Sequence, residues 1–403
     1  MKILVVTQYF WPENFRINDL CLELQKRGHE ITVLTGIPNY PEGRIFEEYQ
    51  QDPENFKKLK GIEVLRVPML PRGKSKLQLL LNYLSFMISG SFVGSLKVRG
   101  RSYDLIFICQ LSPATVAIPG LLIAKIKGVP AVMWILDLWP DTLKAVGMVT
   151  NDVLLRSLQR LMNIIYSSCD LIFVQSKSFK QRINSLIADR TEVHYVPSWA
   201  EDDFGIAGNK TNLGNVNDRV FTVTFAGNIG NAQDVYCIIN AANELKRYTH
   251  IRFNIIGDGR EAEGVSRAIA SYKLNDSVKM LGRHSLEKMP RFYQESDAML
   301  ITLQPKELYS MTIPGKLQSY LAAGKAVIGA IDGEAQRVIL DSQSGFCVPS
   351  GDYVGLAEAI FKMSKLSSEQ LVEFGKNAKN YYENEFSRSK IIHRFEEHLQ
   401  QII

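Results

Sequence analysis

Residues 312–330 read TIPGKLQSYLAAGKAVIGA. Thr312 stands where a helix cap is expected. Pro314 suits a first helical turn, because its missing N–H has no helical partner there. Leu317, Tyr320 and Leu321 recur at helical spacing, Gly324 stops the helix, and a strand is expected over 326–328. A helix start carries about half a positive charge and several unpaired N–H groups. Lys316 in that first turn opposes the dipole, and an anionic ligand would resolve the conflict. Gly315 would let such a ligand approach the backbone closely. The competing reading is a solvated lysine on an ordinary helix.

The same helix-then-strand rhythm extends in both directions. In the N-terminal half, short apolar runs at 2–6, 30–35, 63–67, 105–109, 131–135 and 171–174 read as strands, with a helix over 18–28. Residues 198–218 are rich in Gly, Asn and charge and read as a linker. The rhythm restarts at 221–226, 252–256, 278–281, 298–302 and 326–328. Near-continuous apolar strands separated by helices predict parallel sheets covered on both faces. The fold class is therefore α/β: two doubly wound Rossmann-like domains, 1–197 and 219–384, facing a central cleft. In such sheets ligands bind beyond the C-terminal strand ends. The segment 376–403 reads as one amphipathic helix with Phe386, Ile391, Ile392, Phe395 and Leu399 on its apolar stripe, and from about 385 on it is expected to pack back onto the first domain.

Composition narrows the function classes. The chain has 403 residues, 46% hydrophobic and 22% charged, which describes a globular protein large enough for two cores. A net charge of +5 is too mild to demand nucleic acid. Cys21, Cys109, Cys169, Cys237 and Cys347 are scattered, with no C-x-x-C pair, which fits a reducing cytosol better than a disulfide framework or a thiolate zinc site. The N-terminal ILVV reads as a buried strand and not as a secretory leader. No pattern of metal ligands is found, so neither a metal nor a cofactor is expected.

Two further turns favour an anion site. Residues 221–226 run into Gly227, Asn228 and onward to Gln233, a glycine turn that opens a helix. Residues 253–256 run into Gly257, Asp258 and Gly259. The second turn matches G-x-G-x-x-A, but no acidic strand-end residue follows at the dinucleotide spacing, and the first strand of the chain leads into TQYFWP without a glycine. A nicotinamide enzyme is a poor fit.

The motifs QYFWPEN (8–14), GHEITVLTGIPNYP (28–41), WILDLWPD (134–141), FAGNIGNAQD (225–234), IIGDGREAE (255–263), LGR (281–283) and IPGKLQSYLAAGKAV (313–327) occur in that order. In this the chain resembles the retaining, GT-B-fold glycosyltransferases of family 4, and most closely their WbuB-like branch. The resemblance implies metal-independent transfer of a sugar from a UDP-sugar. It implies a donor site from Gly227, Asn228, Gln233, Gly257, Asp258, Arg283, Pro314, Gly315 and Lys316. Family members often carry basic residues where this chain has Asn228 and Gln233, which throws the positive charge onto Lys316. They also often carry two glutamates where this chain has Met311 and Ser319, so Ser319, Gln318 or Glu307 is left to hold the ribose.

By the same resemblance the first domain would bind the acceptor, with Asn14, Arg16, Tyr40 and Trp139 as contacts and Asp137 or Glu13 as proton acceptor beside catalytic Lys316. Asp137 as a turn organiser is the competing reading. The branch points to UDP-N-acetyl-L-fucosamine as donor and to a lipid-linked saccharide acceptor, in O-antigen or capsule assembly. A UDP-sugar epimerase and a non-catalytic sugar-nucleotide-binding protein are the alternatives. The stretch 72–101 joins Arg72, Lys74, Lys76, Lys97, Arg99 and Arg101 to a long apolar run without an acidic residue. A pair of helices on the first sheet is the plain expectation. Peripheral docking on the cytoplasmic face of the inner membrane is the sharper one.

Overall fold

A computed structural model of the chain describes residues 1–73, 75–187, 191–200 and 220–403. The chain divides into two compact units: Met1–Val196 together with Ile392–Ile403, and Pro197–Ile391. Most of the expected linker (201–218) lies outside the described residues.

The first unit is built on eight strands: β1 Lys2–Val6, β2 Glu30–Thr35, β3 Lys58–Leu59, β4 Ile62–Arg66, β5 Leu105–Gln110, β6 Ala131–Ile135, β7 Leu171–Val174 and β8 Glu192–Tyr195. Their order is β3-β4-β2-β1-β5-β6-β7-β8, parallel throughout except for the β3–β4 pair. The central strands are buried on both faces, as in Leu105–Gln110 and Ala131–Ile135, which is why they read as unbroken apolar runs. The order reverses between β1 and β5. That is the switch point at which the loops after these strands splay apart.

Among its described residues the second unit holds six parallel strands: β9 Phe221–Ala226, β10 Ile251–Ile256, β11 Val278–Gly282, β12 Ala298–Thr302, β13 Ala326–Ala330 and β14 Gly345–Val348. The order is β11-β10-β9-β12-β13-β14, with its switch point between β9 and β12. Both sheets thus have the α/β, doubly wound architecture expected from the sequence.

The C-terminal segment departs from the single helix expected over 376–403. It forms two helices, Ser368–Glu385 and Arg388–Gln401. The break falls at Phe386, whose backbone leaves helical geometry while its side chain is buried in the second unit's core. Residues 392–403 belong to the first unit. There Phe395 sits edge-on to Phe107, Trp134 and Phe173, with ring centroids 6.0, 5.1 and 4.7 Å away. Glu396 accepts from His29 at 2.7 Å and pairs with Arg27 at 3.0 Å. Edge-to-face aromatic pairs are each worth about 0.5–1.5 kcal/mol beyond area burial. Phe395→Leu is therefore expected to lower the unfolding free energy by about 2 kcal/mol in urea titration. An unchanged midpoint would show that this helix does not brace the unit.

Candidate active site

In the second unit the turns after β9, β10 and β11 are zipped together. Gly227 N–H donates to Ile256 O at 2.9 Å, Gly257 N–H to Gly282 O at 2.8 Å, and Ile229 N–H to Asp258 O at 2.9 Å. Gly257 has φ +135°, and a Cβ there would lie 1.8 Å from the Gly227 carbonyl oxygen. The GDG turn is glycine-rich because another backbone crosses it, not because it cradles a dinucleotide. Asp258 is turned onto its own loop, where it accepts from Gly259 N–H at 2.7 Å. Asn228 is exposed on the adjoining turn.

The helix Gly315–Ala322 starts over the end of β9. Tyr320, fully buried, accepts Ala226 N–H at 3.0 Å and donates to Ala226 O at 3.1 Å. One hydroxyl thereby satisfies both backbone groups at the strand's end and pins the helix there. Pro314 occupies the cap position, and no side chain caps the helix. Thr312 is not the cap expected from the sequence, because its hydroxyl donates instead to Leu308 O at 3.0 Å. The first helical N–H groups are left without a side-chain acceptor.

Lys316 lies inside this corner. Its ammonium donates to Gln233 Oε1, sits 4.0 Å above the centroid of the Phe225 ring, and would stand 3.0 Å from a Cβ on Gly227. Among the described residues Gln233 is its hydrogen-bonding partner, and no carboxylate pairs with it. Burial pushes the ammonium down to about 7. A neutral amide thus occupies the place beside Lys316 where a second cation would repel it. The turn that carries Gln233 is held by the β12 end: Thr302 Oγ1 donates to Gln233 O, and Gln304 N–H to Ala232 O at 3.1 Å. The structure therefore brings Gly227, Gln233 and Lys316 together at the switch point, where an incoming anion would restore the charge on Lys316.

The remaining donor-side residues are arranged more loosely. A Cβ at Gly315 would meet nothing within 4 Å, so the space above it is open. Ser319 is buried and donates to Gly315 O at 3.3 Å, along its own helix. Arg283 follows β11 and Glu307 opens the short helix Glu307–Ser310. Both are exposed, and no hydrogen bond ties either to Lys316.

In the first unit Glu13 is 3% exposed. Its Oε2 accepts from Phe10 N–H at 3.1 Å, and its Oε1 from Asn39 and Tyr40 N–H at 2.7 Å each. Burial raises this carboxyl to about 7, and the three backbone donors pull the other way. Both oxygens thus tie the β1 loop to the β2 loop. Tyr40 packs on Tyr9 and Phe15 with centroids 5.4 and 5.1 Å away, and the Arg72 guanidinium lies 5.3 Å over its ring. Asn14 is exposed, and Arg16 begins the helix Arg16–Lys26.

Asp137 follows β6. It accepts from Thr142 Oγ1 and from Trp139 Nε1, the latter at 3.3 Å. Burial raises it to about 6, while the bonds from Thr142, Trp139 and Ser112 pull it down. Trp139 is 7% exposed, edge-on to Tyr83 and bonded to Ser112 Oγ at 3.3 Å. The ring of Trp139, named above as an acceptor contact, is packed into the first unit. Sequence reasoning missed Ser112, Thr142 and Gln110, whose Nε2 donates to Asp137 O at 2.6 Å. The available signal was positional, since Gln110 and Ser112 stand at the C-terminal end of a central strand.

Comparison with known proteins agrees in both halves. Residues 14–199 match the family described as glycosyl transferase 4-like domain, and residues 220–365 match the glycosyl transferases group 1 family. The chain is 25% identical over 295 residues to the probable glycosyltransferase WbjE of Pseudomonas aeruginosa, covering 70% of this chain and 72% of that protein. It is 26% identical over 353 residues to WcaI of Escherichia coli K12, a putative colanic acid biosynthesis glycosyl transferase, covering 82% and 83%. Among solved structures, Anabaena HepE in complex with UDP and glucose superposes with a TM-score of 0.69 at 16% identity, over 99% of both chains.

Proposed function

This chain is a GT4-family glycosyltransferase of the GT-B fold, and we propose that it transfers a sugar, with retained configuration, from a UDP-sugar to a lipid-linked saccharide in bacterial surface polysaccharide assembly. The observation that carries the donor half is Lys316. It is an ammonium partly buried at the β9/β12 switch point, bonded to a neutral amide and beside uncapped helical N–H groups. That arrangement suits the diphosphate of a nucleotide sugar. The UDP and glucose held by HepE support uridine as the base, and the colanic acid role named for WcaI supports a polysaccharide product. The N-acetylated deoxysugar, N-acetyl-L-fucosamine in particular, rests on the WbuB-like motifs alone.

In the proposed reaction an acceptor hydroxyl attacks the anomeric carbon on the face from which UDP departs. The bond from that carbon to the phosphate oxygen breaks, and the hydroxyl proton passes to the departing phosphate. Lys316 stabilises the charge that builds on the diphosphate. Asp137, with the Thr142 and Trp139 donors around it, is assigned to the acceptor.

A bound nucleotide stabilises the unit that holds it by about 2.7 kcal/mol at a concentration 100 times Kd. UDP is therefore expected to raise the Tm by several degrees, and GDP and ADP much less. Candidate UDP-sugars are then screened for UDP release with a lipid-linked acceptor. Equal shifts from all three nucleotides, or none, would remove the uridine assignment.

A further inference from the structure

The stretch Lys76–Lys97 has no part in the site described above. It forms a helix, Lys76–Ser89, that continues through a π-turn at Gly90–Gly94 into Ser95–Lys97. One face is built into the first unit. Asn82 is fully buried, donates to Leu70 O at 2.6 Å, and accepts from Gln8 Nε2 at 2.8 Å and Tyr9 OH at 3.0 Å. A Cβ at Gly94 would lie 2.7 Å from Leu34. The segment is long and apolar enough to cross a membrane, but these contacts fix it along the protein.

The opposite face is apolar and open: Phe92 is 70% exposed, Leu96 68% and Leu77 65%, with Leu80, Leu81 and Ile88 also exposed. Isolated exposed apolar residues are ordinary, whereas a continuous stripe of this kind marks an interaction face. Exposed Lys76 stands at one end, and exposed Lys97 and Arg99 at the other. From residue 64 to residue 103 the chain has no acidic residue. Of the other basic residues in that run, Lys74 lies outside the described residues, Arg101 is paired with Glu63, Arg66 is bonded to backbone carbonyls, and Arg72 lies over the Tyr40 ring. The neighbouring helix Ala117–Lys127, tied on by Lys127 Nζ to Val98 O at 2.8 Å, adds exposed Ile126 and Lys125.

We propose that this face docks the first unit, with the Lys76–Lys97 helix lying flat, on an anionic phospholipid bilayer. Apolar side chains enter the acyl boundary while the basic ends meet headgroups, which is the pattern of an interfacial helix. A second protein would match the apolar stripe, but it would not require lysines at both ends and forty residues free of acid. The proposal goes beyond the transfer reaction and is tested without a donor or an acceptor.

The test is flotation of the full chain with phosphatidylcholine vesicles, with and without phosphatidylglycerol. The wild type should float with the anionic vesicles alone, and raising the salt from about 0.1 M to 1 M should weaken binding about tenfold or more. Phe92→Ser with Leu96→Ser should reduce partitioning about tenfold. So should Lys97→Gln with Arg99→Gln, each leaving the Tm and the UDP-induced Tm shift at wild-type values. If the apolar variant does not fold, the charge variant carries the test. The proposal is overturned if the wild type stays unbound, if it binds both vesicles equally, or if it is a dimer that the apolar variant turns into monomer.

Discussion

Replacing Lys316 with alanine is expected to lower kcat by about 10²–10³-fold, the usual cost of deleting one donor aimed at developing charge. The reason lies in how few charges surround the group. Its hydrogen-bonding partner is Gln233 Oε1, and the rest of its corner is the Phe225 ring and the Gly227 backbone. No second cation stands on this turn to take over, since Asn228 and Gln233 are neutral. Lys316→Arg should not rescue, because the larger planar group has to fit between Gln233 Oε1 and the Phe225 ring, where the compact ammonium now sits. Wild-type turnover and donor affinity in Lys316→Ala would refute the assignment.

A pH dependence follows from the same corner. Burial holds the Lys316 ammonium at about 7, far below the ordinary lysine value. Above that pH the unliganded protein carries neutral Lys316 while the unfolded chain is protonated. Deprotonation therefore adds stability as pH rises from about 7 towards the unfolded value, and below about 7 the penalty for the buried charge is constant. Diphosphate binding reverses the preference and takes up a proton. UDP affinity should thus fall by up to about tenfold per pH unit above 7, and that slope should vanish in Lys316→Met. A parallel slope in the variant, read by calorimetry in buffers of different ionisation enthalpy, would assign the proton to another group.

How much of this was legible in the sequence depended on distance along the chain. Inner strands such as Leu171–Val174 are apolar at every position because both sheet faces are covered. The outer strands Glu192–Tyr195 and Gly345–Val348 mix polar or small residues into four positions and do not stand out. Lys316 is legible because helix start, glycine and lysine are adjacent. The role of Tyr320 is not, since its partner Ala226 is 94 residues away and a tyrosine in an apolar stripe reads as core. The bonds of Glu13 were hidden for a related reason: a carboxylate beside an aromatic loop suggests a base, while two of the N–H groups it accepts from come from 26 and 27 residues downstream. The packing of Trp139 was hidden in the same way, since the Ser112 and Tyr83 groups that hold its ring lie 27 and 56 residues upstream.

Gly257→Ala is expected to cost the second unit about 2–6 kcal/mol, combining about 1–3 for a left-handed backbone carrying a side chain with about 1–3 for overpacking. The overpacking is against backbone, which has no rotamer to yield: the new Cβ would lie 1.8 Å from Gly227 O, and φ is +135°. Relief requires the β9 and β10 turns to separate. Gly227 N–H to Ile256 O and Gly257 N–H to Gly282 O, now 2.9 and 2.8 Å, are the bonds that would loosen. Gly227 also faces the Lys316 ammonium, so the movement reaches the anion site directly. The variant should therefore lose both Tm and the UDP-induced rise in Tm. Gly315→Ala supplies the contrast. A Cβ there meets nothing within 4 Å, so its Tm should match the wild type while its UDP shift shrinks if the diphosphate rests on that backbone. A Gly257→Ala protein with wild-type Tm and UDP response would mean that the hydrogen bonds joining these turns do not hold the anion site, and that Lys316 is positioned by the Tyr320 anchor alone.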